Sequence, residues 1–323
     1  MVVAVRNCTI LHTIETGGPG GAETVLLNLA SNLDSNRFRS LVLIPEDGWL
    51  RKQLQEREIP TFIAKSRVWY DLRVLTVMVR LVKQEKVDLI HSHLPGQNFY
   101  SCLAGCLTGR KTIVTYHGAL WLSEGEGLRR DIKLWFVRNW ATAVVVVSDY
   151  LERSLRNARF PTSKIVRIYN GVNTGQFSVT RIGHLRKELG CADGIKLIGM
   201  VANLRQSKGY EYLIRAARKV VDSMPQARFV AVGEINQVIA ERLSSLLGEL
   251  CLQDRFFFLG FRQDVPEILG DLDVFVLSST CEGFSLATIE AMAAGKPLVV
   301  TRSGGPQEIV EDGRTGLLVP PAD

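Results

Sequence analysis

This chain lacks any C-x-x-C pair. Its six cysteines, Cys8, Cys102, Cys106, Cys191, Cys251 and Cys281, are scattered through 323 residues. That pattern excludes a zinc ribbon and a disulfide framework alike, and it points to a reducing compartment. Cys102 and Cys106 lie four apart, so they share a helix face and read as small buried hydrophobes rather than ligands. A long apolar run is also lacking. The longest candidate is Ala141–Ser148 (ATAVVVVS), far short of the roughly 18–20 residues that cross a bilayer. Its valines mark a buried strand instead. The opening MVVAVRNCTILHTI is broken by Arg6 and Asn7 and runs into a glycine turn, so it reads as a first strand and not as a secretory signal. Neither G-x-G-x-x-G nor a P-loop Gly-Lys-Ser/Thr occurs, which removes the familiar dinucleotide and ATP motifs.

What is present is ordinary for an α/β enzyme: 46% hydrophobic and 22% charged residues, enough apolar material to exclude disorder. At 323 residues the chain exceeds the size at which one core keeps growing, so two domains are expected. The net charge of +6 is uneven. Residues 1–170 hold 23 Lys+Arg against 15 Asp+Glu, and residues 171–323 hold 16 against 18. A basic first half suggests an anionic partner there, such as lipid head groups or a lipid diphosphate, with a generally basic solvated surface as the plain alternative. No stacking platform or recognition motif accompanies that charge, so nucleic acid is not an expected partner.

Short β-branched runs alternate with amphipathic segments along the whole chain. The pattern predicts strands at Thr9–Ile14, Ser40–Ile44, Val87–His91, Thr112–Tyr116, Val144–Ser148 and Ile165–Tyr169 in the first half. In the second half it predicts Lys196–Val201, Arg228–Val232, Phe256–Leu259, Val274–Leu277 and Leu298–Thr301. Helical patterns such as Ala22–Leu33, Tyr210–Ser223 and Ala240–Leu250 separate them. Such alternation means parallel sheets covered on both faces, and two sets of it mean two Rossmann-like domains. The strand before Asn170-Gly171 sets the boundary, giving domains 1–170 and 171–323. Ligands of open parallel sheets bind beyond the carboxyl ends of the strands, so the expected architecture has two such sheets facing a central cleft.

Three strand-end loops carry chemistry. Glu15–Glu23 holds Gly17, Gly18, Gly20 and Gly21 at a strand-to-helix turn, where backbone amides and a helix N-terminus favour an anion, with a merely tight turn as the alternative. Asn203–Gly209 (NLRQSKG) places Arg205 and Lys208 at a strand end, where they could neutralise a diphosphate leaving group, with solvated surface charge as the plainer reading of this loop taken alone. The third loop runs from Ser278 to Ser285 and carries Glu282. A helix Leu286–Ala294 follows it, bearing Glu290 and stopping at Gly295 with Pro297 beyond. Two carboxylates could signal glycoside hydrolysis, but one on a loop and one on the next helix suit binding better. The H-x-H of His91 and His93 has no third ligand nearby in sequence, so no metal is expected. Asp149 reads as a helix cap. The basic, aromatic stretch Leu128–Trp140 reads as an amphipathic helix covering the sheet, with contact to a membrane surface as the alternative.

Glu282 and Glu290 form E-x7-E within EGFSLATIEAMAAGKPLVVTRSGGPQEIVEDGRTGLLVPPAD. This stretch resembles the retaining glycosyltransferases of family 4, whose fold (GT-B) pairs two Rossmann-like domains. TGGPGGAE, IHSH, TYHG, YNGVN and ANLRQSKG extend the resemblance over essentially the whole chain. It implies that Gly20 and Gly21 approach the donor phosphates and that His117 lies near the transferred sugar. Lys208 then holds the diphosphate and Glu282 sits beside the sugar. Backbone amides of Gly283, Phe284, Ser285 and Leu286 face sugar and phosphate, Glu290 binds ribose hydroxyls, and the backbone of Phe261 and Arg262 meets the base. Two departures stand out. Asn203 occupies the position of a family arginine, a role that Arg205 is expected to take, and the chain is expected to lack the family's final helices.

The resemblance therefore implies retaining transfer of a sugar from a nucleotide-diphosphate donor, held by residues 171–323, to a glycan or lipid-linked acceptor held by residues 1–170. It implies no cofactor and no metal. The expected location is the cytoplasm, with peripheral contact to the inner membrane face through the basic half. A sugar-nucleotide epimerase, a sugar-phosphate synthase and a catalytically silent binding module are the rival readings.

Overall fold

The structure is a computed structural model. It describes residues 7–66, 71–118, 127–178 and 183–323. The backbone of helix Gly127–Trp140 is described throughout, but the Arg129 side chain lies outside the described set, as does Arg6. The chain divides into two compact units, Met1–Tyr169 and Asn170–Asp323.

The first unit is a parallel sheet of seven strands: β1 (Cys8–Ile14), β2 (Phe38–Ile44), β3 (Thr61–Ile63), β4 (Leu89–His93), β5 (Lys111–Tyr116), β6 (Ala143–Val146) and β7 (Ile165–Arg167), in the order β3-β2-β1-β4-β5-β6-β7. Register follows side-chain alternation. Leu11, Leu41, Leu43 and Ile90 enter one core with Val74, Met78, Phe99 and Tyr100 from helices Leu72–Gln84 and Pro95–Thr108. Ile14, Val42 and Ile44 enter a second core with Leu26, Leu27, Leu50 and Leu54 on the opposite face. The central strands are buried along most of their length because parallel sheets are covered on both sides, which is why they read as apolar runs.

The second unit is a six-stranded parallel sheet: β8 (Lys196–Val201), β9 (Ala227–Val232), β10 (Phe256–Gly260), β11 (Val274–Leu277), β12 (Leu298–Thr301) and β13 (Leu317–Val319), in the order β10-β9-β8-β11-β12-β13. One core gathers Leu197, Phe229, Val230, Phe275 and Val300 with Ile214 and Leu243 from the covering helices. Asp271, fully buried, accepts hydrogen bonds from the amides of Gly183 (2.7 Å) and Leu185 (2.9 Å), so it caps the short helix His184–Glu188 from a distant part of the chain.

Several expectations are corrected. β4 is Leu89–His93 rather than Val87–His91, because Val87 N–H still bonds back to Val82 O at 3.0 Å at the end of the preceding helix, while Ser92 and His93 pair with Thr13 and Ile14 of β1. The shift is even, so the same side chains keep the same face. Ser148, not Asp149, caps helix Asp149–Asn157, its hydroxyl accepting Leu151 N–H at 3.2 Å, while Asp149 pairs with Arg167. Cys106 is exposed although Cys102 is buried, because the buried stretch of helix Pro95–Thr108 ends at Gly105. In helix Gly127–Trp140, Phe136 packs edge-on to Phe99 at 5.0 Å, and Trp135 stays half-exposed. No helix among the described residues is long and apolar enough to cross a membrane.

Candidate functional site

The second sheet reverses its strand order between β8 and β11: β8, β9 and β10 run one way from that line, and β11, β12 and β13 the other. Such a switch point opens a crevice at the carboxyl ends of the two flanking strands. The loops leaving those strands are Asn203–Gly209 and Ser278–Ser285, two of the three singled out in the sequence. The structure brings them together. Lys208 Nζ donates to Glu282 Oε1 at 2.6 Å, with side chains 23% and 11% exposed. Thr280 N–H donates to Ser207 O at 2.8 Å, and Ser278 Oγ donates to Lys208 O at 3.0 Å. Gly209 closes the first loop with φ of 64°, and a Cβ there would strike Ser278 O. Glycine is required by both conformation and space.

Sequence reasoning missed the residues that hold Glu282. Ser279, fully buried, donates its hydroxyl to Glu282 Oε1 at 2.6 Å. Thr301 Oγ1 in turn donates to Ser279 O at 2.5 Å. The Glu282 backbone bonds to Ser303 O at 2.8 Å and receives Gly305 N–H at 3.1 Å. The polar run Ser278-Ser279-Thr280 behind an apolar strand was the available signal, since buried hydroxyls there need partners. Glu282 is thus aimed by neighbours on both sides, and Lys208 keeps two of its three ammonium donors for another acceptor.

Ser285 caps helix Leu286–Ala293 by accepting Thr288 N–H at 3.3 Å. The first-turn amides of Leu286 and Ala287 have no carbonyl inside the helix to pair with, and they carry the positive end of its dipole. Gly283, Phe284 and Ser285 are buried just ahead of it. Glu290 is half-buried one turn on, and burial pushes its carboxyl up to about 7.

Asn203 Oδ1 accepts Glu234 N–H at 2.9 Å, tying the end of β8 to that of β9. Arg205 is exposed and has no carboxylate partner among the described residues. Arg262 is committed within its own unit to Glu188 (2.9 Å) and Asp264 (2.6 Å), which hold its guanidinium firmly charged. Phe261 beside it is 41% exposed at the end of β10. No described contact joins Phe261 or Arg262 to the Lys208–Glu282 pair.

In the first unit the order reverses between β1 and β4, and the glycine turn leaves β1. Gly20 caps helix Gly21–Asn32 through its backbone only. The buried Glu23 carboxylate accepts the Thr16 hydroxyl and lies so close to Gly20 that a Cβ there would strike it. A carboxylate in the first helical turn makes this end poorer for a diphosphate than the glycine count suggests.

Four of the five histidines gather at the same switch point. His93 Nδ1 and His117 Nε2 are hydrogen-bonded at 2.9 Å, and His91 Nε2 meets Thr115 Oγ1 at 2.8 Å. Burial lowers the pKa of His12 and His117 to about 3 and that of His91 to about 4, so the rings are neutral. The expectation that H-x-H lacks a third ligand is overturned by the fold: His12 on β1 pairs in register with His91 on β4, and donor atoms of His12, His91 and His93 lie within 4.8 Å of one another.

A family model described as Glycosyl transferases group 1 matches residues 182–323, and one described as Glycosyltransferase Family 4 matches residues 19–176. The chain is 28% identical over 252 residues to the N-acetyl-alpha-D-glucosaminyl L-malate synthase of Bacillus anthracis; the match covers 77% of this chain and 65% of that protein. It is 27% identical over 315 residues to the UDP-Gal:alpha-D-GlcNAc-diphosphoundecaprenol alpha-1,3-galactosyltransferase of Escherichia coli, covering 93% and 80%. Among solved structures, Anabaena HepE in complex with UDP-glucose matches with a TM-score of 0.89 at 26% identity, covering 98% of this chain and 86% of that one.

Proposed function

Because the chain belongs to the family 4 glycosyltransferases (group 1), we propose that it transfers a sugar, with retention, from a UDP-sugar to a glycan or lipid-linked acceptor. The observation that carries this is the Lys208–Glu282 pair at 2.6 Å, set at the switch point in front of a capped helix N-terminus. The complexes of HepE with UDP-glucose and the donor named for the E. coli relative support uridine. That relative's diphosphoundecaprenol acceptor and the basic first unit support a lipid-linked acceptor there.

In this reading Lys208 turns its remaining ammonium donors to the diphosphate, Arg205 adds a second cation, and the amides of Gly283, Phe284, Ser285 and Leu286 take oxygens of phosphate and sugar. These donors stabilise charge that grows as the sugar C1–O(phosphate) bond breaks. Glu282 orients the sugar and Glu290 accepts from ribose hydroxyls, while Asn203 holds the Arg205 loop to β9. The backbone of Phe261 and Arg262 meets the base. His117, held at Nε2 by His93, offers Nδ1 to a sugar hydroxyl, and Gly20 and Gly21 approach through backbone alone. The acceptor oxygen bonds C1 on the face the phosphate leaves, and a phosphate oxygen takes its proton. No metal is required for these steps.

A thermal-shift panel of UDP, GDP and ADP, followed by transfer assays with UDP-hexoses, tests the reading. UDP should raise the midpoint, and Lys208→Ala and Glu282→Ala should each lower transfer by about 10²-fold or more. A response to GDP or ADP alone would overturn the donor assignment. Undiminished turnover in both variants would remove the proposed roles.

A further inference from the structure

The histidine cluster does more than the transfer reading requires of it. His117 alone is assigned a ligand there, yet three further rings lie behind it, His93 stacked on His117 and the others tilted. His12 and His93 are fully buried. Both ring nitrogens of His12 and Nε2 of His93 have no hydrogen-bond partner. A buried polar atom left unpaired is destabilising, so a fold that keeps three of them on two adjacent strands favours a ligand that pairs with them.

Tautomer bookkeeping shows what would fit. A neutral imidazole carries one N–H and one lone pair. If His93 donates Nδ1–H to His117 and His91 donates Nε2–H to Thr115, the lone pairs fall on His93 Nε2 and His91 Nδ1. His12 adds a third from either nitrogen. The outward N–H groups of His93 and His91 then rest on a second group, the arrangement that orients histidine ligands around a metal, while the second nitrogen of His12 stays unpaired. The ring centroids lie 4.4 Å apart for His91–His93 and 5.5 Å for His12–His91. Donor atoms within 4.8 Å of one another would close to about 3.3 Å around a tetrahedral ion with bonds of about 2.0–2.1 Å. Rotation of side chains anchored on β1 and β4 spans that difference.

We propose that His12, His91 and His93 form a buried three-imidazole site for a zinc-class divalent cation in the first unit. All-nitrogen ligation selects borderline ions over magnesium or calcium, which prefer oxygen. The ion would fix His93 as the donor to His117, and so fix His117 as a donor through Nδ1. The site stands on geometry in the first unit alone and does not depend on the transfer reading.

The test uses the full chain, stripped with chelator and titrated with cobalt(II) and then zinc. One equivalent of cobalt with the intense visible bands of tetrahedral nitrogen ligation, displaced by one equivalent of zinc, is the expected result. Zinc at a hundredfold excess over its Kd should raise the midpoint of the first unit by about 5–10 °C. His12→Asn should abolish both signals, and His184→Asn, outside the cluster, should leave them intact. If His12→Asn fails to fold, His91→Asn serves in its place, and the wild-type titration is decisive by itself. No tetrahedral cobalt spectrum, or one that survives loss of His12 or His91, would overturn the site.

Discussion

Glu290 is a carboxyl whose environment opposes the charge its proposed role requires. Burial raises its pKa from 4.5 to about 7. An acid raised on folding binds its proton more tightly in the native state, so its contribution to stability falls as pH rises from about 4.5 to about 7. A ribose hydroxyl donates best to the charged form. Nucleotide binding should therefore strengthen as pH rises through about 7 and release a proton, measurable by calorimetry in buffers of different ionisation enthalpy. Glu290→Gln should flatten that pH dependence and weaken UDP binding about tenfold, while leaving the protein no less stable at pH 8. Proton release unchanged in the variant would assign it to another group. At this scale the sequence marks Lys208, Glu282 and Glu290 by their spacing. It hints at Ser279 only through the polar run behind an apolar strand and does not assign it or Thr301 a role, because a serine that aims a carboxylate looks like any other loop serine until its partner is placed. Nor does it show His12, which lies 79 residues from His91 and meets it only through strand pairing.

At the scale of elements, strand existence and type follow from apolar runs, and most bounds agree within a residue or two: β8, β11 and β12 match their expected ranges in full. The unforeseen strands β3 and β13 are three residues each and lie at sheet edges. Edge strands are fixed by pairing with a neighbour more than by their own pattern. Loop closure is where the elements of the site depend on one residue. Gly209 joins the Lys208 turn to helix Tyr210–Ser223 in the left-handed region, with Ser278 O against its Cα. Gly209→Ala should cost about 1–3 kcal/mol from conformation alone, read as a lower urea midpoint. The backbone of Ser278 must also move, separating Lys208 from Glu282, so transfer should fall even where the protein remains folded. Full activity in a folded Gly209→Ala protein would show that the two loops need not be held together.

The molecule as a whole is two compact units in one chain, each with its own buried apolar residues. Among the described residues the buried apolar side chains of the second unit run from Phe177 to Val310, and those of the first from Ile10 to Phe160. Each unit thus has the means to unfold on its own, and a ligand stabilises only the unit that binds it. All five tryptophans, Trp49, Trp69, Trp121, Trp135 and Trp140, stand in the first unit. Tryptophan fluorescence therefore follows the unfolding of that unit alone, while calorimetry follows both. At a hundredfold excess over Kd, UDP contributes about 2.7 kcal/mol to the binding unit. For a unit of this size that moves its midpoint by about 5–10 °C. The calorimetric transition of the second unit should rise by that amount, with the tryptophan midpoint nearly fixed. A tryptophan midpoint rising in step would mean that the diphosphate is held by the first unit as well, and would return Gly20 and Gly21 to a larger share of donor binding than Glu23 allows them here.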